Sequence, residues 1–443
     1  MTGLVPLCLL VSIGMAVGRH VLYHDVNLST PSKAPQSKMG LYIRNAHVEN
    51  LSKYRYSGLD KSLLSQYVLR PYWRRLVELF PTTVAPNVIT LTGFAFVIIN
   101  FITLLYYTPD LQTECPRWVY ASWSLGLFLY QSFDAIDGMQ ARRTGTSGPL
   151  GQCFDHCCDA MNTTLECILT AAALGLGQSW ATVACQFATL CNFYLSTWEE
   201  WHTGTLYLSY FSGPVEGIVM VTIFYGLTAL FGPSLWAQNM WEVLHLPAPT
   251  FLPSPFLEMT LQHSFLVFGG IGLVGNVLAS ASNVHAALRA QKRPFLPALA
   301  GLLPFFGTSF LVYVWLSARP ELVTEHLVTF MLFIGAVLAY MVGLMIISHV
   351  SHQSFPYFNI LLLPIIYASL DSTILPLLFS VPSTISASNS ALYVFACLGV
   401  AVGVYGSFVM DICTTMCDYF GIRVLSTKKI PGFKKLGKGE RGD

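Results

Sequence analysis

Long stretches of this chain carry almost no charge, and they recur at a spacing that suits repeated membrane crossings. Each crossing needs about 20 mostly apolar residues. Ten such runs, bounded by charge, Pro or Gly, fall at 88–107, 117–136, 157–177, 178–197, 214–232, 264–287, 296–317, 326–350, 357–380 and 390–415. Only Gly177 and Gln178 separate the third from the fourth. The expected fold class is therefore all-α: a polytopic membrane protein of about ten transmembrane helices, since a helix satisfies its own backbone in lipid.

Residues 60–80 follow a different rhythm. Leu64, Tyr67, Val68, Tyr72, Leu76 and Phe80 recur at helical spacing, Arg70, Arg74 and Arg75 lie between them, and Trp73 adds an interfacial aromatic. This predicts an N-terminal amphipathic helix, resting in the headgroup layer or on the cytosolic face of the protein itself. Further upstream, Leu4 to Val17 is apolar but short for a span and has no basic residue ahead of it. A signal peptide there would send the next residues to the lumen. The preferred reading makes 1–38 an extension outside the fold, 39–426 the membrane domain starting at Met39, and 427–443 a basic tail.

Charge orients this layout, because cytoplasmic loops retain Lys and Arg. Arg142, Arg143, Arg289, Lys292 and Arg293 fall in alternate turns, and Lys428, Lys429, Lys434, Lys435 and Lys438 in the tail. The opposite side keeps Arg117 and Arg319. Both termini and the loop around 138–151 are expected in the cytosol. With 53% hydrophobic against 11% charged residues, a soluble surface is excluded. A net charge of +1 gives no broad basic face for nucleic acid. The eleven cysteines form no CxxC pair or zinc-like cluster and read as packing thiols.

The chemistry is concentrated between 134 and 159. Asp134 and Asp137 stand three apart, Asp155 and Asp159 four apart, so each pair shares one helix face. Gly145, Gly148 and Pro149 let the two helices turn back on each other. Four carboxylates at one point beside lipid repel and take up protons unless cations neutralise them. A lone border aspartate is ordinarily a cap or a satisfied contact, but four in this spacing point to divalent metal. All-oxygen ligands favour two ions of Mg²⁺ or Mn²⁺, a pair suited to holding a pyrophosphate during phosphoryl transfer. Gly138 would admit a nucleotide close to the backbone, with Arg142 or Arg143 gripping phosphate.

These residues fit D-x2-D-G-x2-A-R-x8-G-x3-D-x3-D at every specified position, from Asp134 through Gly138, Ala141, Arg142 and Gly151 to Asp159. That is the signature of the CDP-alcohol phosphotransferase family. The words Thr197-Trp-Glu-Glu200 and Gly213-Pro-Val-Glu-Gly217 resemble its eukaryotic choline/ethanolamine branch, especially the fungal members, and the likeness runs from Met39 to about Ser426. The resemblance implies CDP-choline or CDP-ethanolamine reacting with diacylglycerol to give CMP and a phospholipid, in endoplasmic reticulum or Golgi membranes. It also implies a homodimer, and metal ligation by Asp134, Asp137 and Asp155 with Asp159 as ligand or general base. His156 and Glu216 are the other candidate bases.

Softer signals surround this core. Asn87 resembles the family's Pro-Asn motif and suits nucleotide contact, or is an ordinary N-cap. Glu199, Glu200 and His202 either help bind substrate or face water. Tyr194 and Trp198 would offer a π face to a choline head group, although interface aromatics are common. Asp371 receives no role. The rival readings are phosphoinositol or phosphoglycerol transfer within the family, and a cation-coupled transporter outside it. No inverted repeat supports the latter.

Overall fold

The computed structural model describes residues 40–60, 62–208, 214–247, 253–428 and 430. The 1–38 extension, the start at Met39, Gly213 and Lys429, Lys434, Lys435 and Lys438 of the basic tail lie outside the described residues. In chain order the principal helices are α1 (Arg70–Glu78), α2 (Pro86–Tyr107), α3 (Arg117–Thr144), α4 (Pro149–Ala173), α5 (Trp180–Thr203) and α6 (Pro214–Phe231). The second half holds α7 (Leu261–Ala290), α8 (Leu296–Ala318), α9 (Leu327–Val350), α10 (Leu362–Phe379) and α11 (Ala387–Phe420). Of these, α2 and α7–α11 are the six long and apolar enough to cross a membrane. The protein is a mostly helical, integral membrane protein.

Helices α3, α4 and α5 are equally long, with 28, 25 and 24 residues, but they carry the ionisable side chains of the site. All three extend beyond the apolar runs that predict them, α5 at its far end, to Thr203. Helix α4 begins at Pro149 rather than 157, because Gln152, Asp155 and His156 make its first turns polar without breaking them. Helix α3 likewise runs on to Thr144. The narrow break between the third and fourth runs is real: Gly175 and Gly177 both adopt positive φ, +67° and +64°, which side-chain-bearing residues rarely do.

Two details qualify the all-α expectation. Strands β1 (Gly58–Asp60) and β2 (Leu206–Leu208) pair in parallel, tying the segment before α1 to the end of α5. The helix expected over 60–80 is also phased differently. The helix runs from Leu63 to Glu78 with a π turn at Ser65–Leu69, and Arg70–Glu78 is its longest α-helical stretch. The wider turn rotates Tyr67 and Val68 into exposed positions, away from the face that follows. Trp73, read as interfacial, is instead buried with Val77 against Ile89, Ile136 and Val215. Tyr72 stacks on Phe128 of α3 at 5.8 Å.

The bundle is organised around α9. This helix is buried along nearly all its length and packs on α4, α5 and α11. A helix apolar on every side belongs at such a centre. Close approach depends on two small residues: a Cβ at Gly335 would collide with the Thr164 side chain, and one at Gly343 would lie 2.5 Å from the Phe408 ring. By contrast α7 is the least buried of the six apolar helices, showing Val267, Phe268, Ile271 and Leu278 outward as lipid contact requires.

Isolated carboxylates elsewhere hold loops. Asp371, for which the sequence suggests no role, accepts from Ser383 Oγ (2.5 Å), Thr384 N (2.9 Å), Thr384 Oγ1 (2.6 Å) and Ile385 N (3.0 Å). Asp411 on α11 accepts from the backbone of Leu41 and Tyr42, both at 3.1 Å. The chain is thus fastened into the bundle from its first described residues. Among the described residues all ten cysteines are free thiols, mostly buried, as packing residues should be.

Gly335→Ala forces a methyl group into Thr164 and is expected to lower stability by about 1–3 kcal/mol. Thermal unfolding in detergent checks this against Gly269→Ala, where a Cβ meets open space. Equal melting temperatures would contradict the packing described.

Candidate active site

The site forms where α2, α3, α4 and α5 come together at one end of the bundle. Helix α3 closes at Gly145, whose φ of +64° ends the helix, and Thr146 N returns to Ala141 O at 2.9 Å. Three residues later α4 begins at Pro149, so the signature's two carboxylate pairs face each other across a short turn. Asp155 is in side-chain contact with both Asp134 and Asp137, and the charge of Asp159 acts on all three. The four aspartates singled out from spacing therefore form one cluster.

Neighbouring hydroxyls fix its geometry. Thr90 Oγ1 on α2 donates to Asp137 Oδ2, and Tyr130 OH on α3 donates to Asp159 Oδ1. Donor atoms of Asp155, His156 and Asp159 lie within 4.8 Å of one another, a spacing that suits a metal ion. His156 Nδ1 is 3.6 Å from Asp155 Oδ2, while Asp155 Oδ1 and His156 Nδ1 are buried without a hydrogen-bond partner among the described residues. Buried acceptors left open are costly in a folded protein, and a cation satisfies them.

The backbone around the cluster is clear. A Cβ at Gly138 would have Arg142 Nη1 as its nearest neighbour at 3.7 Å, and one at Gly151 would have Asn87 Oδ1 at 3.9 Å. Ala141 is half-buried beside them. The two arginines divide their roles. Arg143 Nη1 donates to Val77 O, to Phe80 O at 3.3 Å and to Gln140 Oε1 at 2.9 Å, anchoring α1. Arg142 is exposed, and its side chain makes no hydrogen bond to a described residue.

Several softer expectations change. Asn87 is not the N-cap of α2, a position held by Ala85; it is buried and donates to Val424 O at 3.0 Å. Tyr194 and Trp198 offer no free π face, because Tyr194 OH donates to Gly301 O (2.7 Å) and Trp198 Nε1 to Ala298 O (3.0 Å). Both rings are fully buried and clamp the first turn of α8 to α5. Glu199 and Glu200 are buried rather than facing water. Glu199 accepts from Ser280 Oγ (2.7 Å) and Asn283 Nδ2 (2.6 Å) on α7. Glu200 accepts from Gln152 Nε2 at 3.1 Å, next to the cluster. His202 packs edge-on against Trp198 at 5.4 Å. Glu216 accepts from Ser62 Oγ at 2.5 Å and Leu64 N at 3.4 Å, bracing the segment before α1, and leaves Oε2 buried and open.

Tyr56 escapes the sequence reading. It is half exposed at the rim, and its phenol is pushed up to about 12 by partial desolvation and then by the negative charge of Glu200, Asp155 and Asp134. Nothing in its loop marks it: the residue is one aromatic among several, with no periodicity around it.

The fold and this site define a class, an integral membrane protein with a metal-capable carboxylate cluster at one end of its helical bundle. Comparison makes the assignment specific. The sequence profile of the CDP-alcohol phosphatidyltransferase family matches residues 83–247, which include the whole cluster. The chain is 42% identical over 404 residues to an uncharacterised CDP-alcohol phosphatidyltransferase class-I family protein of Schizosaccharomyces pombe, covering 89% of this chain and 100% of that one. It is 40% identical over 405 residues to the choline/ethanolaminephosphotransferase 1 of Saccharomyces cerevisiae, covering 88% and 99%. With a choline/ethanolaminephosphotransferase 1 of Arabidopsis thaliana it shares 35% over 317 residues, 70% and 79% of the two chains. The chain belongs to the CDP-alcohol phosphatidyltransferase family.

If Thr90 and Tyr130 orient the cluster, Thr90→Val and Tyr130→Phe should each weaken Mn²⁺ binding by about 10- to 100-fold. Titration calorimetry on folded protein reads this directly. Unchanged affinity in both would show that the hydroxyls do not shape the metal site.

Proposed function

We propose that this protein transfers phosphocholine or phosphoethanolamine from CDP-choline or CDP-ethanolamine to diacylglycerol, releasing CMP. The observation that carries the reading is the convergence of Asp134, Asp137, Asp155 and Asp159 from two helices near Arg142, whose side chain has no hydrogen-bond partner among the described residues. The names of the yeast and plant relatives support it.

In the reaction, the hydroxyl oxygen of diacylglycerol forms a bond to the β-phosphorus of the donor as the bond to the CMP phosphate breaks. The hydroxyl proton passes to a base of the protein, and CMP departs with the electron pair. Two Mg²⁺ or Mn²⁺ ions bound to the four aspartates would stabilise charge on the pyrophosphate. Arg142 binds donor phosphate, while Gly138, Ala141 and Gly151 leave room for the nucleotide. Asn87 lines that side and holds the chain after α11 against it. Asp159 is the preferred base, supported by His156, because the family resemblance favours it; Glu216, which accepts from Ser62, is the reserve.

The same reading takes all ten predicted runs as spans, with α1 on the headgroup layer through its exposed arginines. It puts the catalytic end in the cytosol, where the hydrophilic donor is available, and lets diacylglycerol arrive sideways from the leaflet. A water-poor site disfavours hydrolysis. Residence in endoplasmic reticulum or Golgi and a homodimeric state belong to this reading, as do the domain limits 39–426. The fastening of Leu41 and Tyr42 to Asp411 supports a domain that begins near Met39.

CMP release from CDP-choline and diacylglycerol tests the proposal, with CDP-ethanolamine as the donor run in parallel. Asp134→Ala, Asp137→Ala and Asp155→Ala should each reduce turnover by on the order of 10³-fold or more, the kinetic equivalent of several kcal/mol. EDTA should stop the wild-type reaction and Mg²⁺ restore it. Near-wild-type turnover in any of the three variants would refute the cluster's role. His156→Ala should cost about 10²–10⁴-fold if that ring takes the proton, and markedly less if Asp159 does.

A further inference from the structure

At the end of α7 the chain leaves the membrane helix through a turn that gathers its cations around a hollow. His285, Arg289, Lys292, Arg293, Pro294 and Phe295 line a pocket of about 380 Å³. Lys292 takes a left-handed conformation, φ +55°, uncommon for a residue with a side chain. Its N–H returns to Arg289 O at 3.1 Å and that of Arg293 to Leu288 O at 2.9 Å. Phe295 then packs edge-on against the His285 ring, with centroids 5.2 Å apart. One wall of the hollow is therefore aromatic, and the rest is cationic.

Cations near a helix C-terminus and in a cytoplasmic loop have ordinary explanations, the helix dipole and the retention of Lys and Arg on that side. Neither requires the side chains to share a pocket. Arg289, Lys292 and Arg293 are all exposed, and among the described residues none has a carboxylate in ion-pair range. The hydrogen bond found here runs from Arg293 Nη1 to Gln291 Oε1 at 3.4 Å. Three positive charges lie within five residues, with no anion among the described residues to balance them.

The location decides what fits. The pocket sits where α7, the least buried of the apolar helices, meets α8. Exposed Leu278 on α7 and Leu303 on α8 lie about two helical turns away on either side. A ligand with a phosphate at the membrane boundary and acyl chains along these surfaces satisfies both parts. We infer that the pocket binds the phosphate of an anionic phospholipid headgroup, from the leaflet on the side of the aspartate cluster. It does so separately from the phosphate chemistry of the active site.

The seat is joined to that site by the protein's own contacts. Arg293 acts electrostatically on His202, and the turn after the pocket is clamped to α5 by Trp198 and Tyr194. Two residues after Trp198 on the same helix, Glu200 bonds to Gln152 beside the cluster. A lipid bound here would steady the wall that carries Glu200.

The test is lipid retention, which needs no turnover. Full-length protein is reconstituted in phosphatidylcholine nanodiscs with and without phosphatidic acid, extracted, and the bound lipid is counted by native mass spectrometry. Each cation near a membrane surface adds about fivefold to binding of anionic lipid. The triple variant Arg289→Gln, Lys292→Gln, Arg293→Gln should thus retain on the order of a hundredfold less phosphatidic acid than wild type. Lys292→Arg, which keeps the charge, should retain it. Equal retention by a folded triple variant overturns the inference. Displacement by CMP would assign the pocket to the donor site, and displacement by inorganic phosphate would remove the need for a lipid; either result overturns it too.

Discussion

Four aspartates from two helices are pressed together at the edge of an apolar bundle, and much of this half of the protein is arranged around that crowding. At an effective dielectric of about 20, two unit charges about 5 Å apart repel by roughly 3 kcal/mol. Four mutually close carboxylates make several such pairs, comparable in sum with the roughly 5–15 kcal/mol by which a typical domain is stable. The cluster is therefore tolerable in its charged form when cations sit in it. Thr90 and Tyr130 each satisfy one oxygen, and Asp155 Oδ1 stays buried and open. The protein alone leaves the balance incomplete.

Holding such a cluster requires a rigid frame, and the second half of the chain supplies it. Helix α9 fills the centre of the bundle, and α4 lies against it at Gly335 and Thr164. On the other side, α1 is drawn onto α3 by Trp73, Val77 and Arg143. Glu216 braces the segment leading into α1, and Asn87 holds the chain beyond α11 over the start of α2. Side chains that read in sequence as prospective ligands thus often do positional work beside the site.

Sequence disclosed the parts governed by period and by spacing. Apolar runs located the long helices, since burial in lipid demands uninterrupted hydrophobicity, and the carboxylate spacing located the cluster, since helical geometry decides which aspartates share a face. What it concealed depended on partners distant in the chain. Tyr194 and Trp198 look like headgroup aromatics until Gly301 and Ala298, about a hundred residues away, accept their hydrogen bonds. Asn87 looks like a cap until Val424 appears opposite it. The start of α4 was hidden because its first turns are polar for chemical reasons, and Tyr67 and Val68 were misplaced by a π turn that no periodicity announces. Tyr56 lies in a loop without pattern, and only the folded chain brings it near Asp134 and Asp155.

The central claim is that the aspartate cluster is a shared seat for two divalent ions. Electron paramagnetic resonance of the purified protein loaded with Mn²⁺ in the presence of CMP tests it most directly. A pair of ions bridged by carboxylates and phosphate gives an exchange-coupled spectrum, which this account predicts for the wild type and not for Asp155→Ala. A spectrum of one isolated ion in the wild type, or a coupled pair that survives Asp155→Ala unchanged, would contradict it.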